Sequence, residues 1–360
     1  MPKRLRYHFE PQKGWMNDPN GLCFFKGQYH AFFQHYPYAP KWGRMHWGHA
    51  VSEDLIHWTE LPVALFPDQP YEDDSGCFSG SAVVKDGLLY LFYTSVSHER
   101  GQTQSLAVSQ DGLHFEKYAG NPVIAKPPAE GSRDFRDPKV SFFDGCYHMV
   151  CGTGKGGVGK VVHYASNDLC RWDYQGVLIE GAQYGTVIEC PDFFKSSDRY
   201  VLMFSQMNRP THAVRILTGT FDGKRFKIET DQSPEAGPQF YAPQSFEAPD
   251  GRRVVIGWLY DWKKEPDEGA DYAGALTIPR ELAIDRDGEI RLFPVREAAG
   301  LLAEQDELVK IKGDIIEVAG KSFPLALREP VKDVKILKDT KTVEVFLNGG
   351  KASYTLWFGK

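Results

Sequence analysis

The first 290 residues contain short apolar runs, rich in aromatic residues, that are separated by polar turns. Each run spans only a few residues and follows a turn-forming pair such as Lys26-Gly27 or Asp86-Gly87. Such runs favour β-strands joined in hairpins, because these pairs adopt tight-turn backbones at little steric cost. Helical periodicity is nearly absent from residues 20 to 290, so the pattern predicts an all-β fold. The five runs occupy residues 28–33, 89–93, 147–150, 200–204 and 253–258.

A second pattern, Ser/Thr-x-Asp-x-x-x-Trp/Phe, recurs after four of these runs. Its aromatic positions are Trp58, Phe115, Trp172 and Phe226, so the repeat length is 54–57 residues. A repeat of this size is typical of one blade of a β-propeller. Together with the fifth run, the pattern predicts a five-bladed β-propeller over residues 1–297.

Each run is also preceded by another predicted strand that carries polar residues within an apolar frame. In a propeller these would be the innermost strands, which line the central channel, so their polar ends would converge on one pocket. The five predicted innermost strands begin at Asn17, Phe78, Arg136, Glu189 and Tyr241.

The pattern changes near residue 295. A short helix-like segment at 295–302 is followed by alternating strands at 342–347 and 352–358. These features predict a short C-terminal β-rich domain, residues 298–360, packed on the propeller.

Composition and charge limit the partners. The chain has 42 Lys and Arg against 48 Asp and Glu, a net charge of −6, and no basic block. We therefore expect no nucleic-acid partner and no membrane partner. The basic N-terminus lacks the apolar stretch of a secretory signal, and the six cysteines contain no Cys-x-x-Cys pair, so we expect reduced thiols and a cytoplasmic protein.

Three carboxylates stand at the starts of predicted innermost strands: Asp18, Asp137 and Glu189. Hydrolysis of a glycosidic bond with retention needs an ionised nucleophile and a protonated acid, with carboxyl groups roughly 5–5.5 Å apart. A third carboxylate can hold the sugar. Taken alone, each Asp-Pro pair is more typical of a turn in which the Asp side chain caps the backbone than of a catalytic site.

The chain resembles glycoside hydrolase family 32, the group of invertases, inulinases and sucrose-6-phosphate hydrolases. The resemblance rests on three motifs that occur in the family's order and at its approximate spacings. They are Trp15-Met-Asn-Asp-Pro-Asn-Gly21, Phe135-Arg-Asp-Pro138 and Glu189-Cys-Pro-Asp192. The resemblance implies that Asp18 is the nucleophile, Glu189 the acid/base, and Asp137 the carboxylate that binds fructosyl hydroxyls. It also implies a fructosyl pocket framed by Asn17, Gln34, Trp42, Phe78 and Ser79, with Trp42 and Phe78 as apolar walls.

The neighbours of each carboxylate suggest how its charge is controlled. Ile188 and Cys190 are apolar and would favour a protonated Glu189, whereas the amides around Asp18 would keep it ionised. Arg136 offers donors to substrate hydroxyls and would keep Asp137 charged.

These features predict a retaining, exo-acting β-fructofuranosidase acting on sucrose or short fructo-oligosaccharides. The alternatives are a sucrose-6-phosphate hydrolase, a fructosyltransferase of the same family, or a non-catalytic fructan-binding propeller. We expect a small sugar as substrate, no cofactor and no metal, since His46 and His49 lack a third ligand. Gly154 to Lys160 resembles a phosphate loop, but Val161 replaces the required Ser or Thr. The oligomeric state stays open.

Three departures from the family pattern bear on specificity. The segment from Glu235 to Gln239 replaces two carboxylates expected near the pocket, Ile188 replaces a tryptophan, and the tail is about half the usual C-terminal β-sandwich. If a phosphate were recognised, Arg209 and Arg215 are the candidate cations, although solvated hairpin charges are the alternative interpretation.

Overall fold

The structure is a computed structural model that describes residues 3–207, 211 and 213–359. Within those residues nearly all regular structure is β, which confirms that the fold is all-β. The helical segments described there are three short 3-10 helices, Pro70–Glu72, Ala182–Tyr184 and Arg296–Leu301. No helix in this part of the chain has both the length and the apolar character needed to cross a bilayer.

Five antiparallel sheets follow one another along the chain, and each is built mainly from consecutive strands. The first sheet contains β1 (Gly14–Phe25), β2 (Gln28–Tyr36), β3 (His46–Ser52) and β4 (Trp58–Leu65). The second contains β5 (Gly76–Lys85), β6 (Leu88–Ser97), β7 (Gly101–Ser109) and β8 (Glu116–Lys117). The third contains β9 (Phe135–Phe143), β10 (Cys146–Lys155), β11 (Val158–Ser166) and β12 (Asp173–Gly181).

The fourth sheet contains β13 (Ile188–Ser196), β14 (Arg199–Gln206), β15 (Val214–Phe221) and β16 (Phe226–Gln232). The fifth contains β17 (Tyr241–Glu247), β18 (Arg253–Trp258), β20 (Arg280–Ile284) and β21 (Ile290–Pro294). The short strand β19 (Tyr272–Ala273) leaves the fifth sheet and pairs in parallel with the start of β1.

The repeated Asp of the sequence pattern has one structural role in four sheets. Its carboxylate accepts backbone N–H groups two and three residues later, as in the 2.7 Å bond from His57 to Asp54 and the 2.8 Å bond from Arg171 to Asp168. Asp111 and Asp222 do the same. This turn joins the third and fourth strands of each sheet, so the pattern recurs because the same turn must be made four times.

The first strands of the five sheets contact one another. Ser81 of β5 donates to the carbonyl of Pro138 in β9 at 2.8 Å, and Lys139 of β9 reaches the carbonyl of Ser245 in β17 at 2.5 Å. β13 lies against both β9 and β17, while β1 lies against β5 and β17. Their starts therefore lie close together.

Two three-stranded sheets form the C-terminal part. One contains β22 (Val309–Lys312), β23 (Ile315–Val318) and β24 (Lys321–Pro324), and the other contains β25 (Val334–Lys338), β26 (Thr342–Leu347) and β27 (Ala352–Trp357). Their apolar residues form a common cluster that includes Ile316, Val345 and Tyr354.

Buried charges join these sheets to the rest of the chain. Arg280 of β20 binds Glu235 at 2.7 Å and Glu344 of β26 at 2.6 Å, and His8 lies between Glu344 and Asp339 at 2.7 and 2.9 Å. We call His8, Glu235, Arg280, Asp339 and Glu344 the charge network. The sequence comparison suggested that Glu235 lies near the substrate pocket, and this is wrong: Glu235 is buried in the interface, where Arg280 neutralises it.

Candidate active site

A β-bulge interrupts the first strand of every one of the five sheets close to its start. The pairing register shifts at Asp18-Pro19, Ser79-Gly80, Asp137-Pro138, Cys190-Pro191 and Ala242-Pro243. Proline suits a bulge because it has no N–H to offer the ladder. Three of the residues before the break, Asp137, Cys190 and Ala242, have positive φ angles of 64°, 49° and 48°. Bulges bend a strand and re-aim its side chains, and here they point polar groups from separate strands toward one place.

Asp18, the predicted nucleophile, accepts three hydrogen bonds. Ser79 Oγ lies 2.6 Å from Oδ2, Asn17 Nδ2 lies 3.0 Å from Oδ1, and the Cys190 thiol lies 3.5 Å from Oδ2. Desolvation raises the pKa of Asp18 above its ordinary value, the bonds from Ser79 and Asn17 oppose the rise, and the charge of Glu189 adds to it. The raised pKa of Asp18 is opposite to the expectation that the neighbouring amides keep this carboxylate ionised.

Asp137 is buried and held by the backbone of the next sheet. Its Oδ2 accepts the N–H of Cys190 at 2.8 Å, and its own N–H donates to Thr94 Oγ1 at 3.0 Å. Burial raises the pKa of Asp137 to about 7; Arg136 acts against this rise, while the charges of Asp18 and Glu189 increase it. The expectation that Arg136 keeps Asp137 fully charged is therefore wrong.

Arg136 instead binds Glu189, the predicted acid/base. Its Nη2 and Nε lie 3.0 and 3.2 Å from Oε1 of Glu189, and its Nη1 lies 2.8 Å from Asp134. The hydroxyl of Tyr241 donates to the other oxygen, Oε2. Apolar neighbours were expected around this carboxylate, but its partners are a guanidinium and a phenol.

Of the six predicted fructosyl-binding residues, three bond to the carboxylates, and the other three have other contacts. Asn17, Ser79 and Arg136 bond directly to the carboxylates. Gln34 is buried and donates to the carbonyl of Cys77 in β5 at 2.9 Å. Trp42 and Phe78 contact each other edge to face at 6.2 Å, and Trp42 is 44% exposed.

Cys190 and Tyr241 belong to the site, although neither was assigned to it from sequence. The Cys190 thiol lies 3.5 Å from both Asp18 Oδ2 and Asp137 Oδ2, so it joins two carboxylates. A signal was available for both residues, because each occupies the start of a first strand, as Asp18 and Asp137 do.

The residues considered for phosphate or metal binding have other partners. Arg215 pairs with Asp231 of the neighbouring strand at 2.8 Å, in accord with a hairpin charge pair, and Arg209 lies outside the described residues. His46 and His49 are buried and hydrogen bonded, to the Arg44 carbonyl at 2.9 Å and to His30 at 3.0 Å. Across the described chain, no three His, Cys, Asp or Glu residues form a group suited to a metal ion.

Comparisons with known proteins agree with this geometry. Residues 8–294 match the model of the glycosyl hydrolases family 32 N-terminal domain. The chain is 36% identical to a sucrose-6-phosphate hydrolase of Zymomonas mobilis over 98% of this chain and 74% of that protein. It is 42% identical to a raffinose invertase of Escherichia coli over 82% of this chain and 65% of that enzyme.

Solved structures show the same relationship. A family 32 β-fructofuranosidase of Bombyx mori superposes with a TM-score of 0.87 at 29% identity, covering 99% of this chain and 89% of that one. A variant of that enzyme was solved in complex with sucrose. Because the family model covers most of the chain and whole-chain relatives exceed 30% identity, this protein belongs to glycoside hydrolase family 32.

Proposed function

We propose that this glycoside hydrolase is a retaining, exo-acting β-fructofuranosidase that removes the terminal fructofuranosyl unit from sucrose or short fructo-oligosaccharides. The observation that carries the proposal is the convergence of Asp18, Asp137 and Glu189 from three sheets. Cys190 touches the first two carboxylates, and Arg136 binds the third. Two carboxyl groups for displacement and a third for binding are what this reaction requires.

In the proposed mechanism Asp18 attacks the anomeric carbon of the fructosyl unit while Glu189 gives its proton to the leaving oxygen. The glycosidic bond breaks, and an ester forms between the sugar and Asp18. Glu189 then removes a proton from water, which attacks the same carbon and releases Asp18. Ser79 and Asn17 hold the Asp18 oxygens in position.

Asp137 has a binding role in this scheme. Its Oδ2 is fixed by the Cys190 backbone, which leaves the other oxygen to accept a sugar hydroxyl. Hydrogen bonds to sugar hydroxyls that strengthen in the transition state are one source of rate enhancement in glycosidases.

We infer that the five sheets are the blades of a five-bladed β-propeller, residues 1–297, and that residues 298–360 form a reduced β-sandwich domain. The contacts between consecutive first strands support this arrangement, as does the contact of β1 with β17 and the parallel pairing of β19 with β1. Those contacts would bring the fifth blade back to the first.

Hydrolysis of sucrose 6-phosphate is the second candidate. It is favoured by the name of the Zymomonas mobilis relative, which spans nearly all of this chain. Arg215, one of the two candidate cations, is paired with Asp231, so a phosphate bound there would have to displace that carboxylate.

Kinetics on four substrates test the proposed function. We expect kcat/KM on sucrose to exceed that on polymeric inulin and on levan by about tenfold or more, and to exceed that on sucrose 6-phosphate. The Glu189→Gln protein, prepared in parallel, controls for contaminating activity. A tenfold preference for either polymer, or a large preference for the phosphate ester, would overturn the substrate assignment.

A cytoplasmic location is also proposed. It is supported by the six cysteines, all of which lie in the described part of the chain and are free thiols. A small sugar is the one partner that the mechanism requires.

A further inference from the structure

Exposed aromatic side chains lie on the first sheet, at the end where the carboxylates meet. Tyr38 is 65% exposed and Phe66 is 49% exposed, and both stand in connections between strands. Tyr38 follows β2, and Phe66 follows β4. Because β2 and β4 run antiparallel to β1, both strands end on the side where β1 begins and Asp18 is located.

These side chains form a continuous row that starts at the pocket. The backbone of Gly43, next to Trp42, lies on the ring of Tyr36, where an added Cβ would come within 2.7 Å. Ring centroids are then 5.4 Å apart for Tyr36 and Tyr38, 5.6 Å for Tyr38 and His46, and 5.6 Å for His46 and Phe66. We call Tyr36, Tyr38, His46 and Phe66 the aromatic row.

The row runs outward across the sheet, since Tyr36 ends β2, His46 begins β3 and Phe66 follows β4. It begins beside Trp42, whose ring meets Phe78 at the pocket. Burial lowers the pKa of His46, so its ring is uncharged near neutral pH. His46 is buried and joins the two exposed rings, so Tyr38 and Phe66 offer aromatic faces and edges with no charge between them, which suit the C–H faces of sugar rings.

We propose that Tyr38 and Phe66 bind the third and fourth sugar units of a fructo-oligosaccharide whose terminal fructosyl unit occupies the pocket at Asp18. This proposal rests on the proposed function and extends it to units beyond the scissile bond. A disaccharide has only two units and would end at Trp42 and Phe78, so the row affects chain-length preference and leaves the bond-breaking steps unchanged.

The test compares sucrose with the trisaccharide 1-kestose and the tetrasaccharide nystose. In the double variant Tyr38→Ala/Phe66→Ala we expect the ratio of kcat/KM on nystose to that on sucrose to fall about tenfold, mainly through KM. In each single variant the ratio should fall by less than in the double variant. Phe142→Ala is the matched control, because Phe142 is 61% exposed near the far end of β9, and its ratio should equal that of the wild type.

Tyr38→Leu and Phe66→Leu keep apolar volume but remove the aromatic faces, and they should lower the ratio if the alanine variants do not fold. An unchanged ratio in folded variants would overturn the proposal. So would a loss of the ratio in Trp262→Ala but not in the Tyr38 and Phe66 variants, since Trp262 is another exposed aromatic residue, 55% exposed and stacked on Trp15 at 5.6 Å. A wild-type protein inactive on all three sugars would refute the proposed function itself and this proposal with it.

Discussion

The pocket and the charge network each gather three carboxylates, but they compensate them differently. Among the described residues, one cation, Arg136, forms an ion pair with a pocket carboxylate: it binds Glu189, and Asp18 and Asp137 have no ion pair in this part of the chain. In the charge network Glu235, Asp339 and Glu344 are paired with Arg280 or His8.

The pKa values of the carboxylates therefore shift in opposite directions in the pocket and in the charge network. Burial raises the pKa of both Asp18 and Asp137. Burial acts in the same sense on Glu344 and Asp339, but Arg280 and His8 overcome it and lower their pKa values. Partly uncompensated charge is costly to stability and useful for reactivity, whereas paired charge holds two parts of the chain together. The four predictions below test this difference, from the largest expected effect to the smallest.

Removing either displacement carboxylate should abolish turnover. We expect Asp18→Asn and Glu189→Gln each to lower kcat on sucrose by about four orders of magnitude or more, because each eliminates one half of the double displacement. The melting temperature of Asp18→Asn should stay at or above that of the wild type, since its charge adds to the repulsion in the pocket, whereas Glu189→Gln also loses the ion pair with Arg136. Asp144→Asn, a carboxylate on the hairpin after β9, should retain full activity. Near-wild-type rates in either pocket variant would remove that residue from the mechanism.

Removing the cation of the charge network should cost stability. Arg280→Met leaves Glu235 buried without a cation and Glu344 with His8 as its remaining charge partner, so the free energy of unfolding should fall by about 3–5 kcal/mol in urea denaturation. Arg296→Met is the matched control: Arg296 is 70% exposed in its pair with Asp250, and its loss should cost under about 0.5 kcal/mol. Equal losses in both variants would show that Arg280 contributes no more to stability than an exposed ion pair does.

The charge network should also make stability depend on alkaline pH. Burial opposes the charge on His8, but its hydrogen bonds to Asp339 and Glu344 prevail and raise its pKa to about 9. A raised pKa in the folded state stabilises fully below the unfolded value of about 6.5, and the contribution disappears as pH rises through 9.

We therefore expect the wild type to lose about 3 kcal/mol of unfolding free energy between pH 6.5 and 9 relative to His8→Gln. His57→Gln, which removes an exposed histidine, should behave as the wild type. Parallel pH curves for the wild type and His8→Gln would show that His8 is not charged in the folded protein.

Neutralising a pocket carboxylate should stabilise the fold while it damages activity. The folded pKa of Asp137, about 7, lies above the unfolded value, so its ionisation destabilises the protein above that pH, and the penalty disappears as pH falls toward 4. Asp137→Asn should raise the unfolding free energy by about 1–3 kcal/mol at pH 8 and by little at pH 4. A destabilised variant at pH 8 would mean that Asp137 is compensated as well as the network carboxylates are.

The features that could be predicted from sequence are those set by local chemistry. The turn at Asp54 or Asp168 depends on residues within three positions, so its pattern is visible along the chain. The same holds for Asp18 and Asp137, because an Asp-Pro pair at the start of a strand marks a bulge. Strands 342–347 and 352–358 were placed within a residue by their alternation, and the helix-like segment at 295–302 is a 3-10 helix.

The features that were missed depend on contacts between distant segments. Arg136 binds its near neighbour Asp134, as a local pattern could suggest, but its other carboxylate partner is Glu189 of the next sheet and not the adjacent Asp137. Glu235 was expected at the pocket, but it meets Arg280 and Thr355 in an interface that no local pattern reveals. The strands β22 to β24 are four residues long, which is too short for alternation to distinguish them from turns.

The most direct test of the central claim is to trap the sugar on the nucleophile. The Glu189→Ala enzyme is mixed with a β-fructofuranoside that has a good leaving group, quenched in acid, digested, and analysed by tandem mass spectrometry. Asp18 can still attack without proton donation to such a leaving group, but water is no longer activated, so a fructosyl ester should accumulate on the peptide that contains Asp18. An adduct on Asp137, or a product of inverted configuration with no adduct, would contradict the assignment.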